Sequence, residues 1–415
     1  MNKEERLFKI ELLIIDIAIL TSILSFSTFD AIAEICFSIR YVFWVLALFV
    51  IYIQSRNKLD FTIKYMAFTT VLFILLNFVF HMLGYYPYTT TGIAGYVGFC
   101  MSFYTVGYNF QWQSEKDVKS LFVVSFIAYI ILLITAIPEV GKHQEAIYLF
   151  EQKNQLGQML GSGVIIQAFF LARLTNNRLF KIMLYFCSGL TLIALMLIHS
   201  RTPLIALVVL AIVTFCSKKN KTQNDFVMAI IFVAVIIIAI TFLGGTQFIK
   251  ELFEWNDTTN LNTVEGINDV TSGRIDGYIK ALRDFIKSPL IGIGFHAYVD
   301  NFVICCLRSG GLLFALFAVP FIYSKMFRMF SATRHITEED KPDSLIVNLK
   351  HLARNYTLYF FVVSIMEGFP PVGPGASIFL LWLIYGLTDN GYNLRKLQEA
   401  EGKELNEIVA FSNMK

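Results

Sequence analysis

Charge is what this chain has least of. Asp, Glu, Lys and Arg together make up 16% of its 415 residues, where soluble domains carry about 25%. With 56% hydrophobic residues and a mean hydropathy of +0.61, that shortage excludes an ordinary soluble domain and points to an integral membrane protein. No long block of Lys or Arg stands apart from the apolar runs, and the formal charge is only +3, which excludes a nucleic-acid partner. Cysteine is sparse. Cys36, Cys100, Cys187, Cys216, Cys305 and Cys306 lie almost all inside apolar runs and never in CxxC spacing, so they read as small buried hydrophobes rather than metal ligands or disulfides. A small-residue cleavage site is missing from the first apolar run, about 8–28. That run is expected to stay as the first transmembrane helix instead of leaving as a signal peptide.

What is present is a long series of apolar runs. A bilayer core takes about 20 apolar residues as a helix. Twelve runs qualify, near 8–28, 31–53, 61–82, 92–112, 118–137, 155–172, 179–198, 202–216, 226–243, 301–323, 355–369 and 375–390, of which the eighth and eleventh are short. With the N-terminus inside, the cytoplasmic pieces collect Arg56 and Lys58, Lys116 and Lys119, Arg173, Arg178 and Lys181, and Lys218, Lys219 and Lys221. The positive-inside rule thus supports twelve spans with both termini cytoplasmic. The expected fold is an all-α polytopic bundle over 1–415, with a large external loop at 244–300, a basic cytoplasmic loop at 324–354 and a cytoplasmic tail at 391–415.

The external loop is unlike the other connections, and a loop that long in a compact protein is usually functional. Its second part, Arg274 to Lys287, places Ile275, Tyr278, Ile279, Leu282, Phe285 and Ile286 at helical spacing with charges between them. This predicts an amphipathic helix on the outer membrane surface, capped by Thr271 or Ser272 and ended by Pro289. Ser272-Gly273-Arg274 then sets free backbone N–H groups beside a guanidinium, a combination suited to an anion. A second such point is Ser200-Arg201-Thr202-Pro203, where Pro203 suits a first helical turn and Ser200 or Thr202 its cap. Arg suits phosphate because its planar fork donates parallel hydrogen bonds and stays charged. Each of these Arg residues could instead snorkel to lipid headgroups.

Other polar residues gather toward the same outer face. Arg40 lies about ten residues inside the second span, a depth at which a charge needs a partner or a polar cavity; Glu34 or a residue of another helix could supply it. Lys153 and Asn154 open the sixth span, with Gly157 following, and Glu367 stands at the outer end of the eleventh as a base, an Arg partner or a plain interfacial residue. Gly292 and Gly294 permit a tight turn or close approach of a substrate. His296 follows, and Asp300 and Asn301 stand where the tenth span begins, as helix caps or as site residues.

Taken in order, these residues resemble the O-antigen ligase and polymerase superfamily. The likeness rests on Lys153-Asn154-x-x-Gly157, a Ser200-Arg201 pair opening a span, Ser272-Gly273-Arg274 in a large external loop, Pro289-Leu290-x-Gly292-x-Gly294, and Asp300-Asn301 eleven residues before Gly311. It covers about 150–315; the first third of the chain adds only hydropathy and Arg40. The resemblance implies a GT-C-type glycosyltransferase in the bacterial cytoplasmic membrane, without metal or cofactor, acting on its outer face on glycans linked to undecaprenyl diphosphate. Arg201 and Arg274 match the family's arginines. Lys153, Asn154, Ser200, Ser272, Gly273, Asn301, Arg40 and Glu367 are the further candidates for binding. Ligases of the family commonly have His-Asn where this chain has Asp300-Asn301, so the pattern looks more like a repeat-unit polymerase, with Asp300, His296 or Glu367 as the base. A chain-length regulator would be a possible partner.

The chemistry asks for little more: cations where the diphosphate charge develops, and a carboxylate or imidazole to take a hydroxyl proton. The alternatives are a ligase to lipid A core or another terminal acceptor, and a glycolipid flippase or transporter. Transporters set their sites near the bilayer midplane, where only Arg40 lies.

Overall fold

The apolar runs fold as helices. The computed structural model describes residues 3–54, 58–85, 92–112, 115–139, 153–217, 273–295, 298–335, 345–373 and 378–390, with isolated residues between 241 and 271. Among them all regular structure is helical. In chain order the helices are α1 (Lys3–Leu24), α2 (Asp30–Ile53), α3 (Phe61–Met82), α4 (Ile93–Asn109), α5 (Glu115–Ala136) and α6 (Lys153–Val164), which continues through a π-helical stretch, Ile165–Leu171. Then come α7 (Arg178–Leu197), α8 (Arg201–Ser217), α9 (Arg274–Lys287), α10 (Phe302–Phe330), α11 (Leu345–Met366) and α12 (379–390). Six helical stretches are long and apolar enough to cross a membrane: Asp30–Ile53, Phe61–Met82, Glu115–Ala136, Asn154–Leu174, Arg178–Leu197 and Phe302–Thr333. The protein is a polytopic α-helical membrane protein. The expected ninth span, 226–243, the first part of the external loop and the tail fall almost wholly outside the described residues.

Two helix ends differ from the expectation. The tenth span, read as 301–323, belongs to a helix that runs to Phe330, and the eleventh, read as short, belongs to the 22-residue α11 that starts at Leu345 and stops at Met366. Much of the 324–354 segment is therefore helix, and Glu367 stands just beyond its helix.

Capping follows local chemistry. Asp60 Oδ1 accepts the Ile63 amide at 2.8 Å to start α3, Asn177 accepts Leu179 and Phe180 to start α7, and Asn301 accepts Ile304 at 3.1 Å to start α10. The end of α7 is closed by Ser200 N–H on Leu195 O and His199 N–H on Met196 O, with His199 in the left-handed region at φ 54°. That is the Schellman arrangement with His in place of the usual glycine; it turns the chain sharply into α8.

The glycines of 289–294 are explained by α10. This helix is broken at Gly311 (φ 63°), and the segment before it fills the break. Leu312 and Leu313 amides donate to Pro289 and Leu290 carbonyls at 2.8 and 3.1 Å, while Ile293 and Gly294 amides donate to Arg308 and Ser309 carbonyls at 2.9 and 3.0 Å. Gly292 has φ 69°, and a Cβ there would collide with the Ser309 carbonyl. The close approach expected of a substrate is made instead by the protein's own backbone. The exchange gives backbone groups freed by the kink new partners and ties the segment before residues 298–301 to α10.

Two polar clusters sit at opposite ends of the bundle. One surrounds Asn301 at the start of α10, the other Lys325 beyond the break at Gly311.

Candidate functional site

Glu367 is the point where five segments meet. Its Oε1 accepts from Asn154 Nδ2 at 3.3 Å, Thr202 Oγ1 at 3.2 Å and Arg274 NH2 at 3.4 Å, and its Oε2 accepts from the Tyr298 hydroxyl at 3.2 Å. The donors come from the starts of α6, α8 and α9 and from the turn before α10. Arg274 is held on its other side by Asp300, Nε to Oδ2 at 3.0 Å, and the Tyr278 hydroxyl donates to the Asp300 carbonyl at 2.5 Å. One guanidinium therefore lies between two carboxylates, and a network of this kind holds each member's rotamer.

Burial decides the protonation of this hub. Glu367 is only 5% exposed. Burial, helped by the nearby Asp300 charge, raises its carboxyl from an ordinary 4.5 to about 7, while Arg274, Tyr298 and Thr202 pull the other way. For Arg274, burial opposes the charge, but Glu367 and Asp300 outweigh it and its pKa is raised. Burial also raises the Tyr298 and Tyr278 hydroxyls, so both remain donors at neutral pH.

A raised carboxyl means that the folded protein holds a proton which the unfolded chain releases above its ordinary pKa. Glu367 thus favours the folded state in acid, and this contribution fades as pH rises through about 7. The Tm of the detergent-solubilised protein is expected to fall between about pH 4.5 and 7, and Glu367→Gln to flatten that fall. An unchanged slope in the variant would mean that Glu367 does not titrate in this range.

Beside Arg274 opens a pocket of about 160 Å³, walled by Arg274, Gly277 and Lys280 of α9, Tyr298 and Asp300 of the following turn, and Arg308 of α10. Arg308 donates from Nε and NH2 to Asp284 Oδ2 at 3.1 and 2.9 Å, and from NH1 to the Tyr298 carbonyl at 2.7 Å. It clamps α9 to the turn that carries Asp300. Among the described residues no three His, Cys, Asp or Glu converge as metal ligands.

The expected residues separate clearly. Arg274, Asp300, Glu367 and Asn154 come together. Gly273, left-handed at φ 75°, stands at the N-cap of α9 and lines the pocket. Arg201 is the first residue of α8, half-buried, next to Thr202. Ser200 is fully buried, and a Cβ at Gly157 would collide with its hydroxyl, so the glycine of Lys153-Asn154-x-x-Gly157 lets α6 press against the start of α8. Asn301 is committed at both ends, capping α10 and donating to the Ile365 carbonyl at 3.1 Å. Arg40 is buried away from the cluster: it bonds Ser25 Oγ at 2.7 Å and Tyr41 Oη at 3.2 Å and stacks over Phe37. Ser272, His296 and the Lys153 side chain lie outside the described residues.

Tyr298, Thr202 as a donor, Tyr278, Lys280 and Arg308 were not singled out for the site by sequence. A signal existed for Arg308, a charge inside an apolar span. For Tyr298 none did beyond its place two residues before Asp300.

The comparisons with known proteins fall on this same stretch. Residues 186–304 match the family model described as O-antigen ligase, a range that takes in Arg201, Arg274 and Asp300. No curated protein matches the chain. The match supports the resemblance to the O-antigen ligase and polymerase superfamily.

Proposed function

We propose, from an O-antigen ligase match that spans both arginine-bearing helix starts and Asp300, that this protein is a membrane glycosyltransferase of GT-C type. It would polymerise lipid-linked repeat units into O-antigen, capsule or exopolysaccharide on the outer face of the bacterial cytoplasmic membrane. Twelve spans, with both termini cytoplasmic and the 244–300 loop outside, complete the reading. The observation that carries it is Arg274, held between Asp300 and Glu367 at the rim of a pocket.

The donor is undecaprenyl diphosphate-linked glycan. Its diphosphate would draw on Arg274, with Arg201 as the second cation, and the charge that develops on the leaving group would be stabilised where water is partly excluded. Arg274 then loosens its hold on Asp300, whose freed carboxylate takes the proton of the acceptor hydroxyl. The acceptor oxygen bonds to the anomeric carbon as the bond to the diphosphate breaks, and undecaprenyl diphosphate leaves. Asp300 is favoured as the base over Glu367 because both Glu367 oxygens are already occupied by internal donors. Glu367 instead holds the arginine in place. The metal-free character and the participation of a chain-length regulator belong to the same reading.

The test is purified full-length protein given a lipid diphosphate-linked repeat unit. A ladder of lengthened products is expected, and Asp300→Asn is expected to reduce it by about 10²-fold or more. Transfer of glycan to lipid A core alone would make the protein a ligase. Repeat units that stay on the cytoplasmic side in cells carrying Asp300→Asn would favour a flippase and overturn the transferase.

A further inference from the structure

Among the described residues, each arginine at the pocket is matched by at least one carboxylate. Arg274 faces Asp300 and Glu367, and Arg308 faces Asp284. Lys280 lines the same pocket, is exposed, and has no ion pair among the described residues. A site for a diphosphate that relied on the two paired arginines alone would present little net positive charge to an incoming anion. One turn before Lys280, Gly277 adds to the case. Glycine in a helix interior costs about 1 kcal/mol relative to alanine, yet no packing demands it here: a Cβ would meet only Val299 Cγ2, at 3.9 Å. The glycine leaves the helix face bare where the pocket opens.

From these two observations we infer that Lys280 is a further anchoring cation, beside Arg274, for the diphosphate of the lipid-linked substrate, which lies along the bare Gly277 face of α9. The inference rests on the glycosyl-transfer reading and deepens it: Lys280 adds the positive charge that the carboxylate-matched Arg274 and Arg308 leave wanting. Lys280 is a binding and positioning residue. It draws the anion in without itself taking part in proton transfer.

The experiment measures binding of inorganic pyrophosphate, and of undecaprenyl diphosphate in phosphatidylcholine nanodiscs, by the full-length protein. Lys280→Gln is expected to weaken both by about 10-fold, the worth of one charge-assisted contact, with a shallower dependence on salt and an unchanged Tm. Lys280→Arg is expected to restore both. Gly277→Leu, which fills the space, is expected to block binding without lowering Tm. Lys287→Gln is the control; that side chain is 76% exposed at the end of α9 and lines no part of the pocket. Wild-type affinity in Lys280→Gln, or an equal loss in Lys287→Gln, overturns the inference and leaves the transferase reading standing if Arg274→Ala still abolishes binding. No binding by the unmodified protein sinks both.

Discussion

Replacing Arg274 with alanine is expected to lower glycosyl transfer by about 10³-fold, the scale seen when a preorganised donor to a developing oxyanion is removed. Three losses coincide. The guanidinium that faces the pocket disappears, and with it the charge-assisted bonds that a diphosphate would use. Asp300 loses its 3.0 Å partner at Nε, and so its fixed position. Glu367, buried and already raised toward neutrality, loses a cation that opposes the shift and is driven further toward its protonated form. Arg274→Lys keeps the charge but not the planar fork, and is expected to recover only part of the activity. Folding must be followed beside activity, because an uncompensated Asp300 and the lost bond to Glu367 also weaken the junction of α6, α8, α9 and α11. Arg274→Ala/Glu367→Gln removes what charge Glu367 still carries and is expected to recover part of the lost Tm at alkaline pH while transfer stays lost. If Arg274→Ala alone keeps a tenth or more of wild-type activity, the central role given to Arg274 is wrong.

Six spans were legible because a bilayer forces a crude and repeated signal, about 20 apolar residues per crossing, and those helices stand close to where that signal put them. The ends were less legible. Hydropathy stops at the first charges, whereas α10 and α11 continue as helix through Lys325, Arg328, Lys350 and Arg354. For the site, local motifs located Arg274, Asp300 and Asn154 but not what joins them. Glu367 meets Asn154 across 213 residues and Arg274 across 93; no local pattern encodes such contacts. The glycine turn at 289–294 was recognised as special, yet its partner, the broken turn of α10, could be seen only in three dimensions. Arg40 is the opposite case. A buried charge in a span is a fair candidate for function; a serine, a tyrosine and an aromatic face hold part of this one, while its Nε is buried without a hydrogen-bond partner among the described residues.

The same limits hid the polar cluster at the other end of the bundle, and it sets the second large expectation: Asp389→Ala should destabilise the protein by about 3–5 kcal/mol, the usual consequence of orphaning one partner of a buried ion pair. Lys325 Nζ lies 2.5 Å from Asp389 Oδ2 and also reaches Thr62 Oγ1 at 3.1 Å, with the two charged residues only 5% and 6% exposed. The Tyr104 hydroxyl stands 2.5 Å from Asp389 and 2.7 Å from Asp60, and Arg328 adds a bond to Asp389 Oδ1 at 3.2 Å. Four helices, α3, α4, α10 and α12, are tied through these atoms. The packing beneath them is close: a Cβ at Gly107 would strike the Leu383 carbonyl, and one at Gly386 the Tyr104 carbonyl, so α4 and α12 touch backbone to backbone and the alcohol and acid are brought within reach. With Asp389 gone, Lys325 keeps its neutral oxygen partners but no longer has its buried countercharge. The double variant Lys325→Met/Asp389→Leu removes both charges at similar volume and is expected to recover most of the lost stability, since an apolar pair often replaces a buried ion pair at little cost. Unfolding of the detergent-solubilised protein, followed by heat for all three chains, separates the outcomes. A double variant no better than Asp389→Ala would show that the four-helix tie depends on the specific hydrogen bonds to Tyr104 and Thr62 and not on charge balance.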